Sequence, residues 1–84
     1  PGTGDDSPGE ITPPMPAIVV RILVEEGDKV QKGQGLVVVS AMKMETTLSA
    51  PRKGIISRIN TSIDARVAPG DILVEMKAEE PFHE

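Results

Sequence analysis

Slid against itself by 37 residues, the chain aligns two halves without a gap. Pro14 falls on Pro51, Ile18 on Ile55, Arg21 on Arg58, Ile22 on Ile59, Val30 on Val67, Gly33 on Gly70 and Leu36 on Leu73. The shared order is a Pro-containing turn, a strand, a turn, an isolated Val, a Gly and another strand. Each half carries short β segments separated by Gly, Pro and Asp, with no room for a helix of ordinary length. Two copies of about 26 residues are too small to enclose separate cores, so they must pack face to face, most economically about a pseudo-twofold axis. An all-β domain with a pseudo-twofold internal repeat is predicted.

The repeat also predicts which side chains point inward. Val37 and Val39 fall on Val74 and Met76, while Val38 falls on Glu75. Side chains alternate along a strand, so the first set faces the core and Glu75 marks the solvated face. Arg21 and Arg58 are matching outward positions. Gly27-Asp28 and Gly33 flank Val30 in the first half, and Asp64-Ala65 replaces Gly27-Asp28 in the second. Asp visits left-handed backbone geometry less easily than Gly but better than most residues, so the same chain path is expected at both turns.

Between the copies lies Ala41-Met42-Lys43-Met44-Glu45. A run of β-formers, Leu36 to Val39, leads in, and Thr46-Thr47-Leu48-Ser49 leads out, so the chain must reverse at the lysine. Tight hairpin turns recruit Asn, Asp or Gly because their central residues often need positive φ, which Met42 and Lys43 do not adopt cheaply. A type I or longer turn would accept both without strain. Of the four methionines, Met15 and Met76 are expected in the core and Met42 and Met44 at the exposed tip.

Composition excludes several function classes. With 84 residues, 8.9 kDa and a net charge of -4, the chain suits one small domain without space for an enclosed active site. Its only aromatic residue is Phe82, and an acidic, aromatic-poor chain lacks what nucleic acid requires. There is no cysteine, no apolar run near the roughly 20 residues that span a membrane, and no signal-peptide pattern. An intracellular protein is expected, with cytoplasm and mitochondrion both open. The thirteen acidic residues are dispersed and offer no carboxylate pair for acid-base work, so no catalytic residue is assigned. No metal site is expected, since only two methionines cluster and no Cys or His joins them. Lys77-Ala78-Glu79-Glu80 reads as a solvated end of the domain, and His83 as an incidental tail residue. Residues 1–10 have linker composition, 11–77 form the domain and 78–84 a tail; the whole is expected to be an excised part of a longer polypeptide.

These residues resemble the biotinyl, or biotin carboxyl carrier, domains of biotin-dependent carboxylases over residues 11–77. Ala41-Met42-Lys43-Met44 matches the family's attachment motif, and Pro14-Met15-Pro16, Gly27-Asp28-Lys29-Val30, Gly33-Gln34 and Ala50-Pro51 match its other landmarks in order. The resemblance implies a flattened β-barrel, or barrel-sandwich hybrid, of two four-stranded antiparallel sheets with Lys43 on a protruding hairpin. It implies that a biotin protein ligase joins biotin to the Lys43 amine, with Ala41, Met42 and Met44 framing the attachment point. The ring is then carboxylated at a biotin carboxylase site with ATP and bicarbonate, and carries the carboxyl group to a carboxyltransferase site. The domain transports and other domains catalyse. Ala17 stands where the family usually has Gly after Met-Pro, and Asp64-Ala65 is a second departure. No insertion interrupts the first half, so the thumb of some acetyl-CoA carboxylase carriers is expected to be absent.

Two other readings compete. A lipoyl domain shares the fold, but its lysine is typically preceded by Asp. An unmodified barrel-sandwich domain would serve only as an assembly module. Ser40 to Thr46 resembles pyruvate carboxylase or transcarboxylase relatives, with acyl-CoA carboxylase α chains close behind.

Overall fold

Eight strands build the domain in the computed structural model, which describes residues 9–78. They are β1 (Gly9–Ile11), β2 (Ala17–Ile22), β3 (Lys29–Val30), β4 (Gly35–Ala41), β5 (Met44–Ser49), β6 (Gly54–Ile59), β7 (Arg66–Val67) and β8 (Val74–Lys77). They form two four-stranded antiparallel sheets, ordered β1-β8-β6-β3 and β5-β4-β2-β7, that make a flattened sandwich. The 37-residue shift carries β2 onto β6, β3 onto β7 and β4 onto β8, and it also places β1 on β5. The repeat is thus one strand longer in each half than the matching residues suggested.

Each half depends on the other. The short strand β3 of the first half pairs with β6 of the second, and β7 of the second pairs with β2 of the first. The loops before these short strands reach across as well. Gly27 N donates to Ile56 O at 2.7 Å and Ile56 N to Asp28 O at 2.9 Å; in the counterpart, Asp64 N donates to Val19 O at 2.7 Å and Val19 N to Ala65 O at 3.0 Å. Gly27 has φ 95° and Asp64 φ 77°, so both turns follow the same left-handed path. Both clasped strands carry a bulge at the same repeat position, between Val19 and Arg21 and between Ile56 and Arg58.

The core between the sheets is aliphatic. Val19, Leu36, Val37, Val39, Ile56, Leu73, Val74 and Met76 are all buried, Glu75 is half-buried, and Arg21 and Arg58 are exposed. The inward set read from alternation is therefore the observed one. Met15 is not in it: the residue is 42% exposed, on a bend between Pro14 and Pro16. Its repeat partner is Arg52, also on a bend, and proline on both sides keeps the Met15 segment out of the sheet. A second correction concerns Gly9 and Glu10, assigned by composition to the linker. They pair with Met76 and Glu75, so the ordered sheet begins there. Residues 1–8, and the tail positions Glu79, Glu80, Phe82 and His83, lie outside the described residues.

The Ala17 substitution is absorbed in β2, where the residue is buried and pairs with Val67. At its counterpart, Gly54, a Cβ would meet the carbonyl oxygen of Lys77 at 2.6 Å, so only the second copy requires glycine. Gly9 lies against Met76 and Pro51, beyond the end of β5 farthest from Lys43, and β8 finishes at Lys77 opposite Ile55 near the start of β6. The chain thus enters and leaves the sandwich at the end remote from the β4–β5 turn.

One buried group is out of register with this order. Thr61 Oγ1 is buried with no hydrogen-bond partner, and the residue stands where the first half has the buried Val24. The hydroxyl occupies the place of a methyl. Replacing Thr61 by Val keeps the shape and removes the desolvated group, so T61V is expected to stabilise the fold by about 1 kcal/mol. Thermal unfolding should show a midpoint higher by roughly 4–8 °C; an unchanged or lower midpoint would show that the hydroxyl is satisfied.

Candidate functional site

The β4–β5 hairpin carries the candidate site. Val39 pairs with Thr46, Ser40 with Glu45 and Ala41 with Met44, leaving Met42 and Lys43 as a two-residue connection. Met42 has φ 52° and Lys43 φ 70°. Positive φ at both central residues makes this a type I′ turn, the form whose twist suits a hairpin and which ordinarily selects Asn-Gly. Of the two geometries the sequence left open, the chain adopts the strained one. A left-handed conformation costs an ordinary L-residue roughly 1–2 kcal/mol. Apart from glycine, the described residues with positive φ are Met42, Lys43 and Asp64, so two of them meet at this one turn.

Registry explains how the strain persists. β4 lies inside its sheet between β5 and β2, with Leu36, Val37 and Val39 buried beneath it. Ala41 is half-buried and packs against the same core. The ladder is anchored as far as Ala41 and Met44, so two residues must close it.

All four residues singled out from the sequence come together here. Lys43 is exposed at the tip, Met42 is 84% exposed, and Met44 is 69% exposed. An isolated exposed methionine needs no explanation, but a pair flanking one lysine on a strained turn does. Beside the turn, a shallow cleft is lined by Ala17, Ile18, Ser40, Ala41, Met42 and Arg66. Sequence reasoning did not place Ile18 and Arg66 beside the turn: Ile18 arrives by pairing with Ser40 of β4, and Arg66 by pairing with Ile18 across the halves. Among the described residues, no group of three or more His, Cys, Asp or Glu could hold a metal ion. Among the described residues, no helix is long and apolar enough to cross a membrane.

The arrangement offers a primary amine to solvent on a rigid stem, framed by apolar, adaptable thioethers. It suits covalent attachment through an amide, since a bulky group on the Lys43 amine would displace nothing in the core. Biotin, with its carboxyl-bearing chain, fits such a site.

Comparisons with known proteins identify the family. The family described as "Biotin-requiring enzyme" matches residues 9–76. Mouse mitochondrial pyruvate carboxylase is 43% identical over 72 residues, covering 86% of this chain and 6% of that protein. The propionyl-CoA carboxylase alpha chain of Ruegeria pomeroyi is 42% identical over 64 residues, covering 76% and 9%. The 2-oxoglutarate carboxylase large subunit of Hydrogenobacter thermophilus is 46% identical over 70 residues, covering 83% and 11%. The chain spans only these small fractions of its relatives. Among solved structures, a single-chain, multi-domain long-chain acyl-CoA carboxylase superposes with a TM-score of 0.79 at 25% identity, covering 96% of this chain and 8% of that one. The lipoyl domain of the Azotobacter vinelandii 2-oxoglutarate dehydrogenase complex shares the fold, with a TM-score of 0.74 at 18% identity over 86% of this chain and 99% of that one. The part of the biotin-requiring enzymes that this chain resembles is the carrier region of the carboxylases, and the chain belongs to that family as a biotinyl domain.

Proposed function

We propose that Lys43 is the attachment point for biotin and that the domain carries a carboxyl group between catalytic sites located elsewhere in a biotin-dependent carboxylase. The observation that carries this reading is the exposed Lys43 on a strained two-residue turn between Met42 and Met44. The family match and the carboxylase relatives support it. Once ATP has activated biotin's carboxyl group, the Lys43 amine attacks the carbonyl, the C–O bond to the activating group breaks as that group leaves with the oxygen, and the amide formed removes one positive charge. An ammonium group is not nucleophilic, so a biotin protein ligase must take the proton during attack. Bound biotin supplies a ring nitrogen that accepts and releases a carboxyl group.

This chain's own contribution is presentation. The hairpin holds the attachment point clear of the sandwich, and Met42 and Met44 give a partner's pocket apolar contacts without strict demands on shape. Tethering to the same polypeptide or complex makes delivery effectively intramolecular, at effective concentrations of order mM for short flexible linkers. The partners are the ligase and the biotin carboxylase and carboxyltransferase domains or subunits. The relatives are named for pyruvate, propionyl-CoA and 2-oxoglutarate carboxylation, so choice of acceptor is assigned to the carboxyltransferase. They include mitochondrial and bacterial enzymes, in keeping with an intracellular location.

Intact mass after incubation with a biotin protein ligase, ATP and biotin should show a single biotinyl increment on this chain and none on Lys43→Arg. A folded domain that takes up no biotin would instead favour a lipoyl carrier or an unmodified assembly module.

Turn strain gives a second expectation. Met42→Asn combined with Lys43→Gly should raise stability by about 2 kcal/mol, seen as a higher urea midpoint with unchanged slope, while abolishing modification. An equal or lower midpoint would mean that the turn is not strained in solution.

Replacing Met42 and Met44 together by Leu should slow ligation or carboxyl transfer a few-fold while leaving the thermal midpoint in place. Unchanged rates in both assays would remove the methionines from the recognition surface.

A further inference from the structure

The sulfur inventory of this chain is four methionines and no cysteine, so thioethers are the sulfur groups an oxidant can meet. Their exposures are graded: 84% for Met42, 69% for Met44, 42% for Met15 and 2% for Met76. The two most exposed are the immediate neighbours of Lys43. The hairpin backbone fixes the positions of both. Ala41 and Met44 are paired across the hairpin, the half-buried Ala41 occupies the edge of the core, and Val39 fills the next inward position. The type I′ backbone holds Met42 beyond the last pair of the ladder.

We infer that Met42 and Met44 form an oxidation-sensitive modification site whose conversion to sulfoxide closes Lys43 to ligation; the second half of this inference rests on the carrier reading above. In the step, a thioether sulfur lone pair attacks one oxygen of a peroxide. The O–O bond breaks and an S–O bond forms. Sulfur is oxidised by two electrons, and hydrogen peroxide is reduced to water, which takes the remaining oxygen and both protons. The flexible apolar group becomes polar and chiral. Lys43 itself is untouched, but a surface that offered adaptable apolar contacts now offers a dipole, which resists burial unless hydrogen-bonded. Methionine sulfoxide reductases reverse the change, one enzyme for each epimer. The protein core is spared because Met76 is shielded between the sheets.

The test uses the unbiotinylated domain with graded hydrogen peroxide, followed by peptide mass mapping and by initial rates of ligation with ATP and biotin. Single-oxygen increments should collect first on Met42 and Met44, later on Met15, and on Met76 only after unfolding. Domain oxidised at the two turn methionines should be ligated about tenfold more slowly or worse, and a mixture of the two reductases should restore the rate. Met15→Leu should leave this inhibition intact. Even oxidation of all four methionines would overturn the assignment of the site, and ligation of the oxidised domain at the untreated rate would overturn its consequence. Mapping needs no ligase, so the order of oxidation is decided independently. Failure of untreated domain to accept biotin would overturn the carrier reading, and the inhibitory consequence with it.

Discussion

The reciprocal clasp between the halves is the constraint on which the rest of the structure depends. Val19 and Ile56 each give both backbone groups to a turn of the opposite half: Val19 to Asp64 and Ala65, Ile56 to Gly27 and Asp28. Both side chains are buried in the middle of the core. A typical hydrogen bond contributes only about 1 kcal/mol net, but leaving a buried backbone group unpaired would cost more than making the bond gains. The clasps also place the chain for β3 and β7, which at two residues each could not hold a position alone. Core formation and sheet completion are consequently one event, and neither copy has an independent fold to fall back on.

Around that constraint the two copies have diverged in a particular way. Positions facing inward remain aliphatic in both: Val19 with Ile56, Val30 with Val67, Leu36 with Leu73, Val37 with Val74, Val39 with Met76. Some outward positions have not. Asn60 donates through Nδ2 to Ile72 O at 3.2 Å and to Glu75 Oε2 at 2.8 Å, whereas the corresponding residues of the lysine-bearing sheet are Leu23 and Val38. Interior volume must be kept on both sides of a packed seam, while solvent tolerates either chemistry. Half-buried Thr61, opposite Val24 in the repeat, is the one described place where a buried side-chain polar atom has no hydrogen-bond partner.

How much of this was legible in the chain follows from the range of each interaction. Self-alignment exposed the architecture because packing the same seam twice leaves paired residues such as Leu36 and Leu73. It also gave the inward set and the left-handed Asp64, since alternation and turn chemistry are local. The candidate site stood out through Ala41-Met42-Lys43-Met44, a contiguous motif. β1 was not, because Gly9-Glu10-Ile11 has no apolar alternation and becomes a strand only by pairing with β8. Met15 misled because its side chain argued for the core while the flanking prolines, and Arg52 in the repeat, argued for the surface. The type I′ turn escaped because its φ angles are dictated by the pairing of Ala41 with Met44, not by the preferences of Met and Lys.

The remote position of the points where the chain enters and leaves has a mechanical consequence. β5 runs six residues away from the turn, about 20 Å of strand, before the chain reaches the end where Gly9 and Lys77 lie. A rotation of about 30° about that end would sweep Lys43 through an arc of roughly 10 Å, given a strand-length radius of about 20 Å. The sandwich has the geometry of a crank: a small angular change at its base would become a displacement of several residue lengths at its tip, added to the reach of the lysine side chain.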